Sequence, residues 1–381
     1  MDNLTHSLVG LAASKAGLER LSPAATAVCL IATNAPDADI ATLFFGDRWT
    51  YLHHHRGITH SIVGTFLIAL AIPFLFFLAD RLLARVRKTK PKTKLLGLTL
   101  ASLIVSATHP FMDWTNNYGI RPLLPWNSEW FYGDLVFIVD PFIWILIGGS
   151  AFLLTSRTRP QKVLWLGLAA VVTFIVLFAS TRPGVTNLGT VRIIWLAALA
   201  LILTLWRFDP ARRWGSRVAL TAFVVLVVYW AGLAALHRIA LAEATGQAAR
   251  IGHGYGETVV DVAAMPTLAN PFHWQSVVET ERAAYRFEVF LLGASAEQQL
   301  VRHERPDAAT SPIVNKALND RRAEIFLGFA RFPVARVRDA DCTTQTIVQL
   351  ADLRYTEPGS QRGTFALQIP VECSEPLRTS R

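Results

Sequence analysis

The sequence predicts an all-α polytopic membrane domain of about eight helices, some of them short, over residues 1–242. A small β-rich domain follows over residues 243–381. Three observations carry this reading. Of the 381 residues, 52% are hydrophobic and only 17% charged, too apolar a balance for a soluble protein of this length. The apolar residues fall in long runs that stop near residue 242. The Lys and Arg between those runs crowd into alternate loops.

Six runs are convincing: 61–80, 95–109, 135–155, 163–180, 191–206 and 217–236. Several approach the roughly 20 residues that a helix needs to cross about 30 Å of hydrocarbon. Two shorter stretches, 4–18 and 22–34, precede them and would form a hairpin. The first contains His6 and Lys15, is followed by Glu19, and does not have the layout of a cleavable signal peptide. The runs at 163–180 and 191–206 read as lipid-facing or packing helices.

The formal charge of +9 does not point to nucleic acid, because its distribution follows the loops. Sixteen Lys and Arg lie in residues 81–94, 157–162 and 207–217 or at Lys15 and Arg20, against five in the alternate loops. By the positive-inside rule the basic loops are cytoplasmic. That orientation puts loops 35–60 and 110–134, and everything after residue 238, on the extracytoplasmic side of a bacterial inner membrane.

The conspicuous histidines and aspartates then share one face. Thr5-His6-Ser7-Leu8-Val9-Gly10 recurs as Thr59-His60-Ser61-Ile62-Val63-Gly64, each at the start of an apolar stretch. As plain helix starts, these would use Thr as the N-cap and leave the imidazole exposed. The company they keep argues otherwise. Asn34-Ala35-Pro36-Asp37-Ala38-Asp39 ends the second stretch, where Pro36 predicts a helix stop. His53, His54 and His55 precede Arg56 and His60, and His109 and Asp113 stand four apart across Pro110. Ionisable groups are costly in hydrocarbon and cluster where they function.

Imidazoles and carboxylates together suit zinc, manganese or iron. A bound ion supplies hydroxide at neutral pH and offsets charge on a phosphoryl or carbonyl oxygen. Asp37 and Asp113 can bridge ions or serve as general base. Arg56 and Arg121 can meet a phosphate oxygen. Several membrane-enzyme patterns are absent: His-Glu-x-x-His, Gly-x-Ser-x-Gly, a phosphate-binding Walker loop, and the Pro-Ser-Gly-His stretch that lipid phosphatases add to their His-x-x-x-Asp.

Taken together, Thr-His-Ser, Asn-Ala-Pro-Asp-Ala-Asp, His-Arg-Gly-Ile-Thr-His-Ser and Thr-His-Pro-Phe-Met-Asp resemble the YdjM-type family of membrane-bound metal-dependent hydrolases. The resemblance is best over residues 1–140, and the stretch Met265–Trp274 also resembles longer members. More remotely the family is similar to bacterial zinc-dependent phospholipase C. The resemblance implies His6, Asp37, His55, His60, His109 and Asp113 as metal ligands. Asp37, Asp113 and Arg56 are read as the catalytic groups, acting on a phosphoester of a membrane lipid or head group. The chain lacks the N-terminal Trp ligand of the soluble relatives. A non-enzymatic metal-binding or ion-conducting protein would use the same cluster, as would a lipid-binding scaffold with a structural metal. The oligomeric state stays open.

Trp114, Tyr118, Trp126, Trp130, Phe131 and Tyr132 read as an interfacial anchor. Asp134 and Asp140 flank the next helix, and the sequence leaves either within reach of the site. Beyond residue 242, runs 284–292, 345–355 and 364–371 read as strands, with a hairpin loop at 356–363. Cys342 and Cys373 flank that hairpin, where a disulfide is expected outside the cytoplasm. Cys29 reads as a small buried residue, and His273 as a packed one.

Overall fold

The computed structural model describes residues 1–179, 188–292, 300–305, 312–339, 344–359 and 365–372. Cys342 and Cys373 lie outside the described residues. By internal contacts the chain forms two units. The first comprises residues 1–39, 56–235 and 266–271, and the second 40–55, 236–265 and 272–381.

The first unit is helical. Helix α1 (Asn3–Ala16) is capped by Asp2, whose carboxylate accepts from the Thr5 amide. It ends at Gly17, whose φ of 145° suits glycine. Helix α2 (Ala25–Ala32) lies close to α1, because Gly10 presents no side chain to it. A Cβ there would stand 2.5 Å from Thr33 Cγ2 and 2.8 Å from the Cys29 carbonyl oxygen. Cys29 is fully buried. After α2 the chain bends by 53° into the 3-10 segment Ala35–Phe44, at the helix stop Pro36 predicts. Helix α3 (Arg48–His54) belongs to the second unit.

Helix α4 (Ile62–Val86) is capped by Ser61, whose hydroxyl accepts from the Gly64 amide. Helix α5 (Leu95–Trp114) runs unbroken through Pro110, so His109 and Asp113 do share one helix face. Helix α6 (Pro141–Thr155) is shorter than its apolar run suggests. Residues 135–140 are not helical: Val136 bridges Asn116, and Asp140 caps the helix by accepting from the amides of Phe142 and Ile143. Fifteen residues rise about 22 Å, short of a bilayer. The run at 135–155 is therefore a packing helix, with Ile143, Ile147 and Ala151 buried, and not a sixth long span.

Helices α7 (Arg159–Ala179), α8 (Leu188–Arg207), the short α9 (Pro210–Trp214) and α10 (Arg217–Tyr255) complete the helical part. Among the described residues, α4, α5, α7, α8 and α10 are long and apolar enough to cross a membrane, and α2 with the bent segment after it would make a sixth span. Their apolar faces are exposed, as at Phe66, Phe74, Leu164, Phe174 and Val224. Apolar patches this extensive need a hydrocarbon partner. At 39 residues, α10 is about 58 Å long, and its polar second half begins the second unit.

The second unit holds two antiparallel sheets. Strands β1 (Val259–Thr267), β2 (Asn270–Thr280), β3 (Ala283–Phe290) and β4 (Val301–Glu304) lie in chain order. Trp274 faces Val289 and Val278 faces Tyr285 in the β2–β3 register. Ala240, Ala244 and Ala248, four residues apart on α10, pack on Trp274, Val278 and Tyr285. Helices α11 (Pro312–Leu318) and α12 (Arg321–Phe329) precede the second sheet. There β5 (Pro333–Val337), β6 (Gln345–Asp352) and β7 (Ala366–Glu372) pair in order, with Leu350 opposite Leu367. Helix α3 packs on α12. The three predicted strand runs correspond to β3, β6 and β7. The Met265–Trp274 motif is the β1–β2 turn, made by Leu268 and Ala269 at φ 54°.

Candidate metal centre

Both copies of the repeated hexapeptide deliver a buried imidazole, but from different local structures. His6 sits in the second turn of α1, whereas His60 ends the 3-10 turn Ile58–His60 just before α4. Asp2 and Ser61 are the caps, not the threonines, and both rings are 0% exposed. The shared glycine has the same task in each copy, to let backbone approach. At Gly64 an added Cβ would collide with the Ile58 carbonyl oxygen. We expect Gly64→Ala to push the 58–60 turn away, costing about 1–3 kcal/mol by overpacking. Thermal unfolding and metal content checked together would show it, and a variant matching wild type in both would refute the packing argument.

Asp37, His60, His109 and Asp113 bring one donor atom each to a common point, all within 4.8 Å of one another. His60 Nε2 lies 3.1 Å from His109 Nε2, 3.3 Å from Asp37 Oδ1 and 3.4 Å from Asp113 Oδ2. His109 Nε2 lies 3.6 Å from each of the same two carboxylate oxygens. Four donors held about 2.0–2.1 Å from one tetrahedral ion sit roughly 3.3 Å apart. The five separations cluster around that edge length. Asp37 Oδ2 and both ring nitrogens of His6 are buried without hydrogen-bond partners, which is costly in a folded interior unless something else satisfies them. The donor set therefore fits a divalent cation.

The surroundings fix these donors. His109 Nδ1 lies 2.7 Å from the Thr33 carbonyl oxygen, to which it donates, leaving Nε2 its lone pair for the cluster. Thr33 is held there by the α1–α2 approach at Gly10. His60 Nδ1 is 3.1 Å from Thr59 Oγ1 and 3.6 Å from Asp39 Oδ2. Burial pushes the His60 imidazole down to about 3, so it is neutral and able to bind a cation. His6 stacks on His109 at 3.8 Å, and its Nε2 lies 3.4 Å from Asp113 Oδ1. The Met1 amino group pairs with that same oxygen.

Arg56 is expected from the sequence to meet a phosphate oxygen. Its guanidinium instead faces inward. Nε lies 3.2 Å from Asp113 Oδ2 and Nη2 3.2 Å from Oδ1, while Nη1 donates to Asn116 Oδ1 at 3.0 Å and the Gly119 carbonyl at 3.1 Å. Its amide donates to Asp39 Oδ2 at 2.9 Å, and Tyr118 covers the guanidinium at 4.5 Å. That is a positioning arrangement for Asp113. Arg121 lies over Trp130 at 4.7 Å.

His55 is the C-cap of α3 in the second unit, with its ring on Tyr51 at 4.7 Å. His53 and His54 are exposed on the same helix. His273 packs on Phe290 at 4.3 Å and pairs with Glu288 at 3.2 Å. Asp140 is a helix cap that also accepts from the Tyr229 hydroxyl at 2.8 Å. The sequence reading did not single out Thr33 or Asn116, which support the cluster through contacts that only the folded chain creates.

These features define a multi-pass helical membrane protein with a buried His/Asp cluster able to hold a metal ion. Residues 1–184 match the family described as YdjM inner membrane protein. It is 30% identical over 155 residues to the uncharacterized protein YfhP of Bacillus subtilis, spanning 38% of this chain and 43% of that relative. It is 27% identical over 161 residues to the inner membrane protein YbcI of Escherichia coli, spanning 41% of this chain and 81% of that relative. The match thus covers less than half the length of YfhP. No solved structure matches the chain.

Proposed function

We propose that the chain is a membrane-bound metal-dependent hydrolase that cleaves a phosphoester of a membrane lipid or its head group, with zinc as the ion and manganese as the alternative. The observation that carries this reading is the cluster of Asp37, His60, His109 and Asp113 beside membrane-length helices, with Asp37 as its accessible member. When bound, such an ion lowers the pKa of a water to about 7 and offsets charge on the phosphoryl group.

Asp37, His60, His109 and Asp113 would hold the ion, and His6 would reach it through the far oxygen of Asp113. Of the four, Asp37 is the most accessible, with its side chain 15% exposed against 0–1% for the others. Its partnerless Oδ2 is the place for a proton taken from water. Arg56 holds Asp113 in one orientation. The segregation of Lys and Arg into alternate loops supports placing the cluster and the β-rich domain on the extracytoplasmic face. His55 joins the proposed ligands through the family resemblance.

The test is metal content by mass spectrometry on detergent-purified protein, with turnover of phosphoester lipids before and after chelation. The expected result is at least one zinc or manganese per chain in wild type, less than about a tenth of that in His60→Ala, and turnover that chelation abolishes and metal restores. Metal-free wild-type protein from metal-replete cells would remove the chemistry. Tightly held metal without turnover on any phosphoester would leave a structural ion instead.

A further inference from the structure

A cavity of about 510 Å³ opens between α4 and α5, with Ile62, Phe66, Leu103, Ala107, Phe111 and His60 among its lining residues. Its size falls within the roughly 300–1,000 Å³ of sites that hold small molecules. Three features say what occupies it. Both walls are helices of membrane-spanning length, and Ile62, Phe66 and Phe111 are exposed on them, so in a bilayer the groove opens onto hydrocarbon. The two hydroxyls among its lining residues are turned to backbone, Thr65 Oγ1 donating to the Thr59 carbonyl at 3.3 Å and Ser106 Oγ to the Ala32 carbonyl at 3.4 Å. That leaves apolar surface for the occupant. Its one titratable lining residue is His60, whose Nε2 stands 3.3 and 3.4 Å from Asp37 and Asp113.

We propose that this groove seats one hydrocarbon chain of a membrane phospholipid, with the head group directed to the cluster at His60. The seating stands on the groove alone; the delivery of a scissile phosphoester rests on the hydrolase reading above. Small side chains at Ala69 and Ala107 make the room. Ala107 is exposed on the groove wall, so a larger side chain there fills the groove without entering the helix–helix core.

The test uses the full chain in phosphatidylethanolamine–phosphatidylglycerol vesicles doped with a phospholipid that carries a diazirine on one acyl chain. After photolysis the labelled peptides are mapped by mass spectrometry. Labelling is expected to concentrate on the α4–α5 groove, about fivefold above the lipid-facing residues of α7 and α8, and to fall about tenfold in Ala107→Trp, since the indole stands on the groove wall where the chain would lie. Labelling spread evenly over α4, α5, α7 and α8 would overturn the proposal in wild type, whether or not the variant folds. A folded Ala107→Trp labelled like wild type would overturn it too.

Turnover of a soluble short-chain phosphoester and a long-chain phospholipid, measured in parallel, separates this from the hydrolase reading. Groove labelling with neither ester cleaved keeps the chain seat and defeats the hydrolase. Cleavage of the soluble ester with no groove labelling does the reverse.

Discussion

Asp113→Ala is expected to empty the metal centre and to be the most damaging single change in the helical unit. Asp113 sits at the middle of the polar network: Oδ2 faces His60 and His109, while Oδ1 faces His6 and the Met1 amino group. Both oxygens also meet Arg56. Losing a supporting partner of a metal ligand typically costs 10–100-fold in affinity, so loss of a ligand itself should exceed about 100-fold. The Arg56 guanidinium would in addition be left buried without its carboxylate, which in comparable interiors costs about 3–5 kcal/mol. Metal affinity by competition with a chromophoric chelator, with thermal unfolding beside it, reads both effects. Asp113→Asn separates them, keeping the shape and one acceptor oxygen while removing the charge. Should Asp113→Ala retain metal at wild-type affinity, the cluster is not the binding site.

Much of this centre was legible in the chain because its donors sit in short, locally specified motifs. The doubled Thr-His-Ser hexapeptide, the Asp after a helix-stopping Pro, and a His and Asp four apart each announce themselves without tertiary knowledge. The His109–Asp113 pair could have been spoiled by Pro110. It survives because proline removes one backbone hydrogen bond yet leaves α5 continuous to Trp114, a tolerance common in membrane helices whose neighbours stabilise the backbone. The membrane-length helices were legible for a simpler reason. A run that is apolar on all sides needs no phase to be recognised.

The same lack of phase explains what was misread. Residues 135–155 are apolar throughout, and nothing in composition marks where the extended segment ends and α6 begins. Only the capping geometry of Asp140 before Pro141 does so. Strands β1 and β2 escaped because Pro266, Asn270 and Pro271 punctuate them like a loop. Yet Leu268 and Ala269 suffice for the turn, and burial of Trp274 and Tyr285 against the alanine face of α10 overrides weak local propensity. Arg56 was misassigned in orientation because an arginine in a His-rich loop looks available to an anion. What turns it inward is a backbone φ of 50° at that residue, together with acceptors on Asp113, Asn116 and Gly119. Those partners come from a segment about sixty residues away, which no local pattern reveals.

Arg56 is therefore the position where two roles give opposite results. If it binds substrate phosphate, Arg56→Lys should raise KM while leaving the metal in place. The geometry predicts otherwise. Lysine offers a point charge where Asp113, Asn116 and Gly119 need a planar fork, so the carboxylate should loosen and metal affinity fall about 10–100-fold. Arg56→Met, which removes the charge entirely, is expected to destabilise the helical unit by about 3–5 kcal/mol, because the Asp113 carboxylate is then buried with its main counter-charge gone. Zinc or manganese should recover part of that loss at high concentration, since an ion bound only by the folded state stabilises it by mass action. Metal-dependent rescue of thermal unfolding in Arg56→Met, with weakened metal binding in Arg56→Lys, would establish a positioning residue. Full metal affinity in both variants with only KM changed would make Arg56 a substrate contact and require the inward-facing guanidinium to turn around on binding.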